Sequence, residues 1–344
     1  MKILLIGGTG LTGPSTAAQL QMAGYNVTVF HRGKTPLPDG AEEMIGDRRQ
    51  LSDYRAEFER RHFDVVVDFI ATSGPQARQL MDTFRGITGR VVALSSMDVY
   101  RAMGILRGTE TGPLQPLPLT EDSDLRTKSQ YSPEELKVLR QMLPYTDDDY
   151  EKIAVEKCVL GDRELPGTAL RLPMVYGPGD YIHRFHYLLK RMDDGRPTII
   201  FSDDLAAWRT PRGYAENVGA AIALAASSER AAGRIYNICE PRAYSELEWA
   251  KKIAKAVGWK GEFVVLPREK APMHLRHPRR AEQHLVGSSV RIREELGYEE
   301  SVSVEEGIRR TISWERANPP QQVWFAPFDY AAEDAAIKEL KASA

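Results

Sequence analysis

The chain has 344 residues, a net charge of -2 and 42% hydrophobic residues. These values suit a soluble globular protein of one large or two smaller domains. The near balance of charge removes any general electrostatic ground for binding nucleic acid or a membrane. Two cysteines, Cys158 and Cys239, make no disulfide framework at this length. No run approaches the ~18 apolar residues of a membrane-spanning helix. The apolar start leads into a glycine loop rather than a cleavage site, so no leader is expected and the cytoplasm is the default location.

Strand-like and helix-like stretches alternate through the first half. Residues 2–6 are short, β-branched and apolar. Residues 11–23 have helical spacing and stop at Gly24. Strands are expected at 26–30, 43–45, 64–70 and 90–95, with helices near 51–61 and 75–85. Apolar strands separated by helices predict a parallel sheet covered on both faces. Residues 101–149 break this rhythm, being rich in Pro, Thr, Asp and Gly around a charged helical piece at 133–141. A long irregular segment inside a compact domain is usually functional or flexible. A helix is expected at 147–160 and a strand at 168–172. Helices follow at 184–192, 217–227, 246–257 and 304–317, with strands at 236–239 and 261–267.

The stretch Gly7-Gly8-Thr9-Gly10-Leu11-Thr12-Gly13 lies directly between the first strand and the first helix. Gly7 permits the tight turn, Gly10 leaves room for a pyrophosphate, and Gly13 lets the helix close on the sheet. The helix start then presents N–H groups and its positive dipole end to the phosphates. In that context the loop predicts a dinucleotide-binding βαβ unit. The second strand ends His31-Arg32-Gly33-Lys34, with no carboxylate to bond a free ribose 2′-hydroxyl. His31, Arg32 and Lys34 there favour a 2′-phosphate, hence NADP over NAD. Asp47 follows the third strand, where an adenine amino group can be bonded.

With the loop in place, later residues resemble the extended and atypical short-chain dehydrogenases/reductases, the NAD-dependent epimerase/dehydratase group. The matching pieces are the loop, Leu94-Ser95-Ser96-Met97-Asp98-Val99-Tyr100, Tyr150, the stretch 171–180 and the stretch 212–218. The resemblance implies an α/β Rossmann fold, a doubly wound parallel sheet with a smaller C-terminal substrate-binding lobe. Residues 1–172, with 205–240 returning, would bind the dinucleotide. Residues 173–204 and 241–318 would form the lobe, and 319–344 a tail. The resemblance also implies a Ser/Thr–Tyr–Lys catalytic set, with Ser96 orienting the substrate oxygen and Tyr150 as acid/base. Ala71, Tyr150 and Pro173 join the cofactor contacts. Ser96, Met97, Tyr176, His186 and Arg209 face the substrate, and a homodimer is the family habit.

One position departs from that pattern. Four residues after Tyr150 stands Ala154 where the family carries lysine. At ~100° per residue, Lys152 falls on another helix face, and Lys157 lies ~10 Å along the axis. Asp98 stands where the dehydratases of the family carry a catalytic acid, and a carboxylate there can take a proton beside a carbonyl if burial raises its pKa. It can equally cap its loop. His183 and His186 are three residues apart but lack a third ligand, so no metal is expected. Arg276-His277-Pro278-Arg279-Arg280 is a basic knot, read as a solvated face or as a grip on a substrate diphosphate. Trp324-Phe325 in the Pro-rich tail suggest a docking segment.

The reading is therefore an NAD(P)-dependent oxidoreductase, acting at a carbon bearing a hydroxyl or carbonyl on a small-molecule substrate. Sugar nucleotides are the substrate class that the resemblance implies. The rival reading is a catalytically impaired NAD(P)-binding protein with a regulatory or RNA-associated role, for which the missing lysine argues.

Overall fold

The computed structural model describes residues 1–143, 145–277, 280–323 and 328–343. The strands, in chain order, are β1 (Lys2–Ile6), β2 (Asn26–His31), β3 (Glu42–Ile45), β4 (Val65–Asp68), β5 (Arg90–Ser96), β6 (Gly167–Leu172), β7 (Met174–Tyr176), β8 (Thr198–Ser202), β9 (Arg212–Tyr214), β10 (Ile235–Asn237) and β11 (Glu262–Leu266). The helices are α1 (Gly13–Met22), α2 (Arg55–Arg61), α3 (Gly74–Phe84), α4 (Arg101–Arg107), α5 (Pro133–Met142), α6 (Lys152–Gly161) and α7 (His186–Asp193). They continue with α8 (Asp203–Ala207), α9 (Ala215–Ser227), α10 (Glu246–Val257), α11 (Val290–Leu296), α12 (Val304–Ala317) and α13 (Tyr330–Ser343).

Seven strands form one sheet in the order β10-β6-β5-β4-β1-β2-β3, and every neighbouring pair is parallel. The alternating side chains of β1 show why its run is wholly apolar. Ile3 and Leu5 enter one core with Ala17 of α1 and Val218 of α9, while Leu4 and Ile6 enter another with Leu80 of α3 and Val155 of α6. A strand buried on both faces needs apolar residues at every position. This is the predicted Rossmann-type α/β architecture.

A separate core lies beyond the sheet's C-terminal edge. Tyr176, Phe185, Leu188, Trp249, Ile253 and Ile308 pack together there, from α7, α10, α12 and the stretches beside them. Helix α10 is defined by a capping box between Ser245 and Glu248 and buries Trp249, Ala250 and Ile253 along one stripe. Strands β8 and β11 pair in parallel against this core. The expected strand at 261–267 thus has a partner, β8, that the sequence reading passed over. Helix α13 closes the lobe. Its Glu333 forms a fully buried pair with Arg191 of α7, and His274 joins the same carboxylate at 3.1 Å. Trp324 and Phe325 lie outside the described residues, as do Pro278 and Arg279 of the basic knot.

Helix α6 begins five residues later than the sequence predicts. Glu151 is its N-cap, extended in backbone, with its carboxylate accepting from the Ile153 N–H. The Glu151 N–H bonds the carbonyl of Thr72, and its carboxylate is gripped at 2.7 Å by both terminal nitrogens of Arg126. Those ties hold the chain extended, so Tyr150 stands outside the helix.

Helices α1 and α9 cross at a glycine. A Cβ added to Gly219 would stand 2.0 Å from Oγ of Ser15 and 2.9 Å from the Thr16 nitrogen. In an unobstructed helix interior, glycine to alanine stabilises by about 1 kcal/mol. Here we expect Gly219→Ala to destabilise by about 1–3 kcal/mol through overpacking. A urea midpoint that rises instead of falling would show that the two helices do not approach this closely.

Candidate active site and dinucleotide cleft

The glycine loop has the geometry its sequence requires. Gly7 sits at φ +78°, and a Cβ there would lie 2.2 Å from the Ile70 side chain. A Cβ on Gly13 would lie 2.2 Å from the carbonyl oxygen of Gly8, so the turn and the helix start are pressed together. Above Gly10, by contrast, a Cβ would meet nothing within 4 Å. Among the described residues no hydrogen bond uses the N–H groups of Leu11 and Thr12. Open space over a glycine, beside free N–H groups at a helix start, fits a pyrophosphate. The hydroxyl of Thr35 donates to that of Thr9 at 2.7 Å and braces the loop from the side.

The far end of this cleft sorts the expected cofactor residues. His31 is buried, and its Nε2 meets Glu43 at 2.9 Å, so it is turned into the edge of the sheet and away from a phosphate. Arg32 and Lys34 are exposed. Asp47 caps the following turn by accepting from the Arg49 N–H at 2.9 Å. Arg48, which sequence reasoning passed over, is buried and donates to Asp68, Gln79 and the carbonyl of Gln76. Asp68 in turn accepts from the N–H groups of Ile70 and Ala71. This relay fixes the chain where β4 ends and places the Ala71 carbonyl.

That carbonyl receives the lysine. Nζ of Lys152 donates to Ala71 O at 2.6 Å and to Leu94 O at 2.9 Å, which leaves one ammonium hydrogen uncommitted. The expectation that Lys152 points to another helix face assumed a helical Tyr150. With the helix starting at Lys152 itself, the argument from ~100° per residue does not apply. Burial pushes the Lys152 ammonium down to about 8, against the opposing pull of Asp98, Asp68 and Glu156 and with a small push from Arg48.

The Tyr150 hydroxyl donates to Oδ2 of Asp98 at 3.3 Å. Burial first, and then the negative charge of Asp98, raise the Tyr150 hydroxyl well above its ordinary value. Asp98 is also raised by burial, which outweighs Arg126, the Gln130 hydrogen bond and Lys152. Gln130 donates to the same Oδ2, and the other oxygen, Oδ1, is shielded from solvent without a partner among the described residues. Ser96 Oγ accepts from the Asp98 N–H at 3.2 Å, so its own proton is free. The Tyr131 ring meets Tyr150 edge-on at 5.2 Å. Gln130, Tyr131 and Arg126 all come from the irregular segment; its length was the signal, but nothing in it singled out these residues.

Behind them lies a buried network. Glu156, one turn after Lys152, accepts two hydrogen bonds from Arg171 on β6, at 2.9 and 2.8 Å, and a third from Ser95 on β5. Arg171 also donates to the Tyr100 hydroxyl, which donates to Asn237 on β10.

Ser96, Met97, Asp98 and Pro173 border a cavity of about 740 Å³ that runs on between the sheet and the second core. Tyr176 lines it but is a packing residue, stacked on Phe185 and donating to Glu240 at 2.8 Å. His186 lines it too, and burial holds its ring below the ordinary histidine value. Arg209 is not among the lining residues. It donates to the Ala243 carbonyl and lies 3.5 Å from Glu248. His183 is paired with Glu315, and among the described residues no group of three or more His, Cys, Asp or Glu could hold a metal. No described helix is long and apolar enough to cross a membrane.

Known proteins resemble the chain in sequence and in fold. The chain is 24% identical to a 2'-dehydrokanamycin reductase of Streptomyces kanamyceticus over 80% of its own length and 72% of the relative. It is 23% identical to a chloroplast stem-loop binding protein of 41 kDa of Arabidopsis thaliana, over 75% of this chain and 64% of that one. Its fold matches a UDP-glucose 4-epimerase of Thermotoga maritima, solved with UDP-glucose, with a TM-score of 0.66, 20% identity and 92% and 99% of the two chains covered. The model of the NAD dependent epimerase/dehydratase family matches residues 3–239, and the chain, with its nicotinamide-dinucleotide loop, belongs to that family.

Proposed function

We propose that this protein is an NAD(P)-dependent oxidoreductase acting at a carbon that bears a hydroxyl or a carbonyl. One observation carries the reading: Ser96 and Asp98 line the large cavity, Tyr150 donates to Asp98 from behind that wall, and the Lys152 ammonium is fixed nearby on the Ala71 and Leu94 carbonyls. When bound, the nicotinamide ring supplies or accepts the hydride. Tyr150, whose raised pKa keeps it protonated, gives its proton to the substrate oxygen in the reducing direction; in the oxidising direction it takes the substrate's proton as its own passes to Asp98. Asp98 accepts the Tyr150 hydrogen bond and, with its pKa raised by burial, is the carboxylate that can take a proton next to a carbonyl. Ser96 directs its free proton to the substrate oxygen and orients it. The lysine role that the family resemblance implies falls to Lys152. The rival reading of a protein that has lost catalysis was argued from a missing lysine, and the buried Lys152 supports the oxidoreductase reading over it.

Exposed Arg32 and Lys34 favour NADP over NAD, now without His31. The division into a dinucleotide-binding part (1–172 with 205–240), a substrate lobe (173–204 and 241–318) and a tail is our reading. It is supported by β10 completing the main sheet and by the separate core around Trp249. A cytoplasmic homodimer completes the proposal on the family resemblance.

Three outcomes are expected. Tyr150→Phe should reduce turnover on a carbonyl and sugar-nucleotide panel by about 10²–10⁴-fold, while NADPH affinity, read by fluorescence titration, stays within about twofold. Equal turnover by the variant would remove Tyr150 from the mechanism. Hydride transfer followed at 340 nm should slow as pH rises through about 8, where Lys152 loses its charge, and Lys152→Met should lack that limb. Replacing Arg32 and Lys34 together by alanine should weaken NADPH by about tenfold or more and leave NADH unchanged; equal losses for the two dinucleotides would contradict the NADP preference.

A further inference from the structure

The walls of the large cavity state which class of molecule it takes. Five described arginines line it. Arg107 is paired with Glu135, Arg184 with Asp180, Arg191 with Glu333, and Arg212 with Glu246. Arg276 donates to the backbone carbonyls of Ala271 and Glu269. No described lysine lines the space. Of the four lining histidines, His183 and His274 are bonded to Glu315 and Glu333, His186 is held toward its neutral form by burial, and the His277 ring lies 4.7 Å from that of Trp208.

A guanidinium already matched by a carboxylate in a buried place has little net charge to offer a second anion. The Arg212 pair shows this as well: both partners are buried, and the guanidinium lies 4.6 Å from the centre of the Trp249 ring. A nucleotide diphosphate is multiply anionic and is normally held by unpaired arginines or helix starts. Four of the five described arginines in this cavity are matched by carboxylates, the fifth, Arg276, is held by backbone carbonyls, and no described lysine lines the space.

The remaining wall is largely carbon, from Met97, Leu172, Tyr176, Phe185, Trp208 and Trp249. Sugar-like rings carry apolar C–H faces that suit such aromatic walls. Three polar atoms of lining residues have no partner among the described residues: Oδ1 of Asp98, an acceptor, and two donors, Nη1 of Arg212 and Nε of Arg107. Buried groups left in this state cost stability until something satisfies them. A ligand hydroxyl given to Asp98 and ligand oxygens offered to Arg212 and Arg107 would satisfy all three without adding charge.

We propose that the cavity receives an uncharged, hydroxylated ring compound of the glycoside type in preference to nucleotide diphosphates. This rests on the oxidoreductase reading above and narrows its substrate, away from the sugar nucleotides that the family resemblance suggests.

Two probes with the same sugar separate the cases: phenyl β-D-glucopyranoside, which is neutral, and UDP-glucose. Each is titrated by calorimetry into the full-length protein saturated with NADP⁺. The neutral glycoside should bind saturably and at least about tenfold tighter than UDP-glucose. Glu246→Gln releases the Arg212 charge and should improve UDP-glucose binding by about tenfold or more. UDP-glucose binding to the wild type as tightly as the neutral glycoside overturns the proposal. So does binding of neither probe, and so does a folded Glu246→Gln variant that gains nothing. If that variant does not fold, the wild-type comparison decides alone. Because binding needs no turnover, an inactive protein that still prefers the neutral glycoside would refute the oxidoreductase reading and leave this one standing.

Discussion

Glu156 and Arg171 meet through two hydrogen bonds with almost no exposure on either side chain. Removing one partner of such a pair leaves an uncompensated buried charge, at a cost of about 3–5 kcal/mol. The pair ties α6 to β6, and Ser95 adds a tie to β5. Lys152 lies one turn earlier on the same helix, so its ammonium is aimed by this anchor. Loosening the anchor would free the lysine from the Ala71 and Leu94 carbonyls, and with it the charge beneath Asp98 and Tyr150.

The irregular segment before α6 supplies the opposite wall. Glu110 accepts from the N–H groups of Thr127 and Lys128 and from the Thr127 hydroxyl, which pins the strip carrying Arg126, Gln130 and Tyr131. Arg126 then clamps Glu151 and bonds the Asp98 carbonyl. A stretch with little regular structure is thus ordered by charged hydrogen bonds. It can place polar side chains at the cleft where a helix or strand would impose its own period.

Much of this was legible in the sequence. The apolar strands, the glycine turn and the Ser96–Asp98 pair depend on local pattern, and local pattern is what a sequence displays. Helical spacing puts Lys152 on another face because it counts from Tyr150, a residue that stands before the helix. The ties holding Tyr150 out, the Thr72 carbonyl and Arg126, come from elsewhere in the chain. His31 was misjudged for a similar reason: its buried orientation depends on Glu43 of the neighbouring strand. The arginine pairs of the cavity were illegible altogether. Arg212 and Glu246 are 34 positions apart, and only the folded topology brings them together.

The pairing of Arg191 with Glu333 spans 142 positions. At typical elongation of about 5–20 residues per second, the ribosome exposes the arginine roughly 7–28 s before its carboxylate exists. During that interval the nascent lobe holds a cation that its own interior cannot accommodate. The lobe therefore cannot settle into its finished form while the chain is still being made. Its last packing step waits for α13, although the sheet that carries the glycine loop lies wholly upstream.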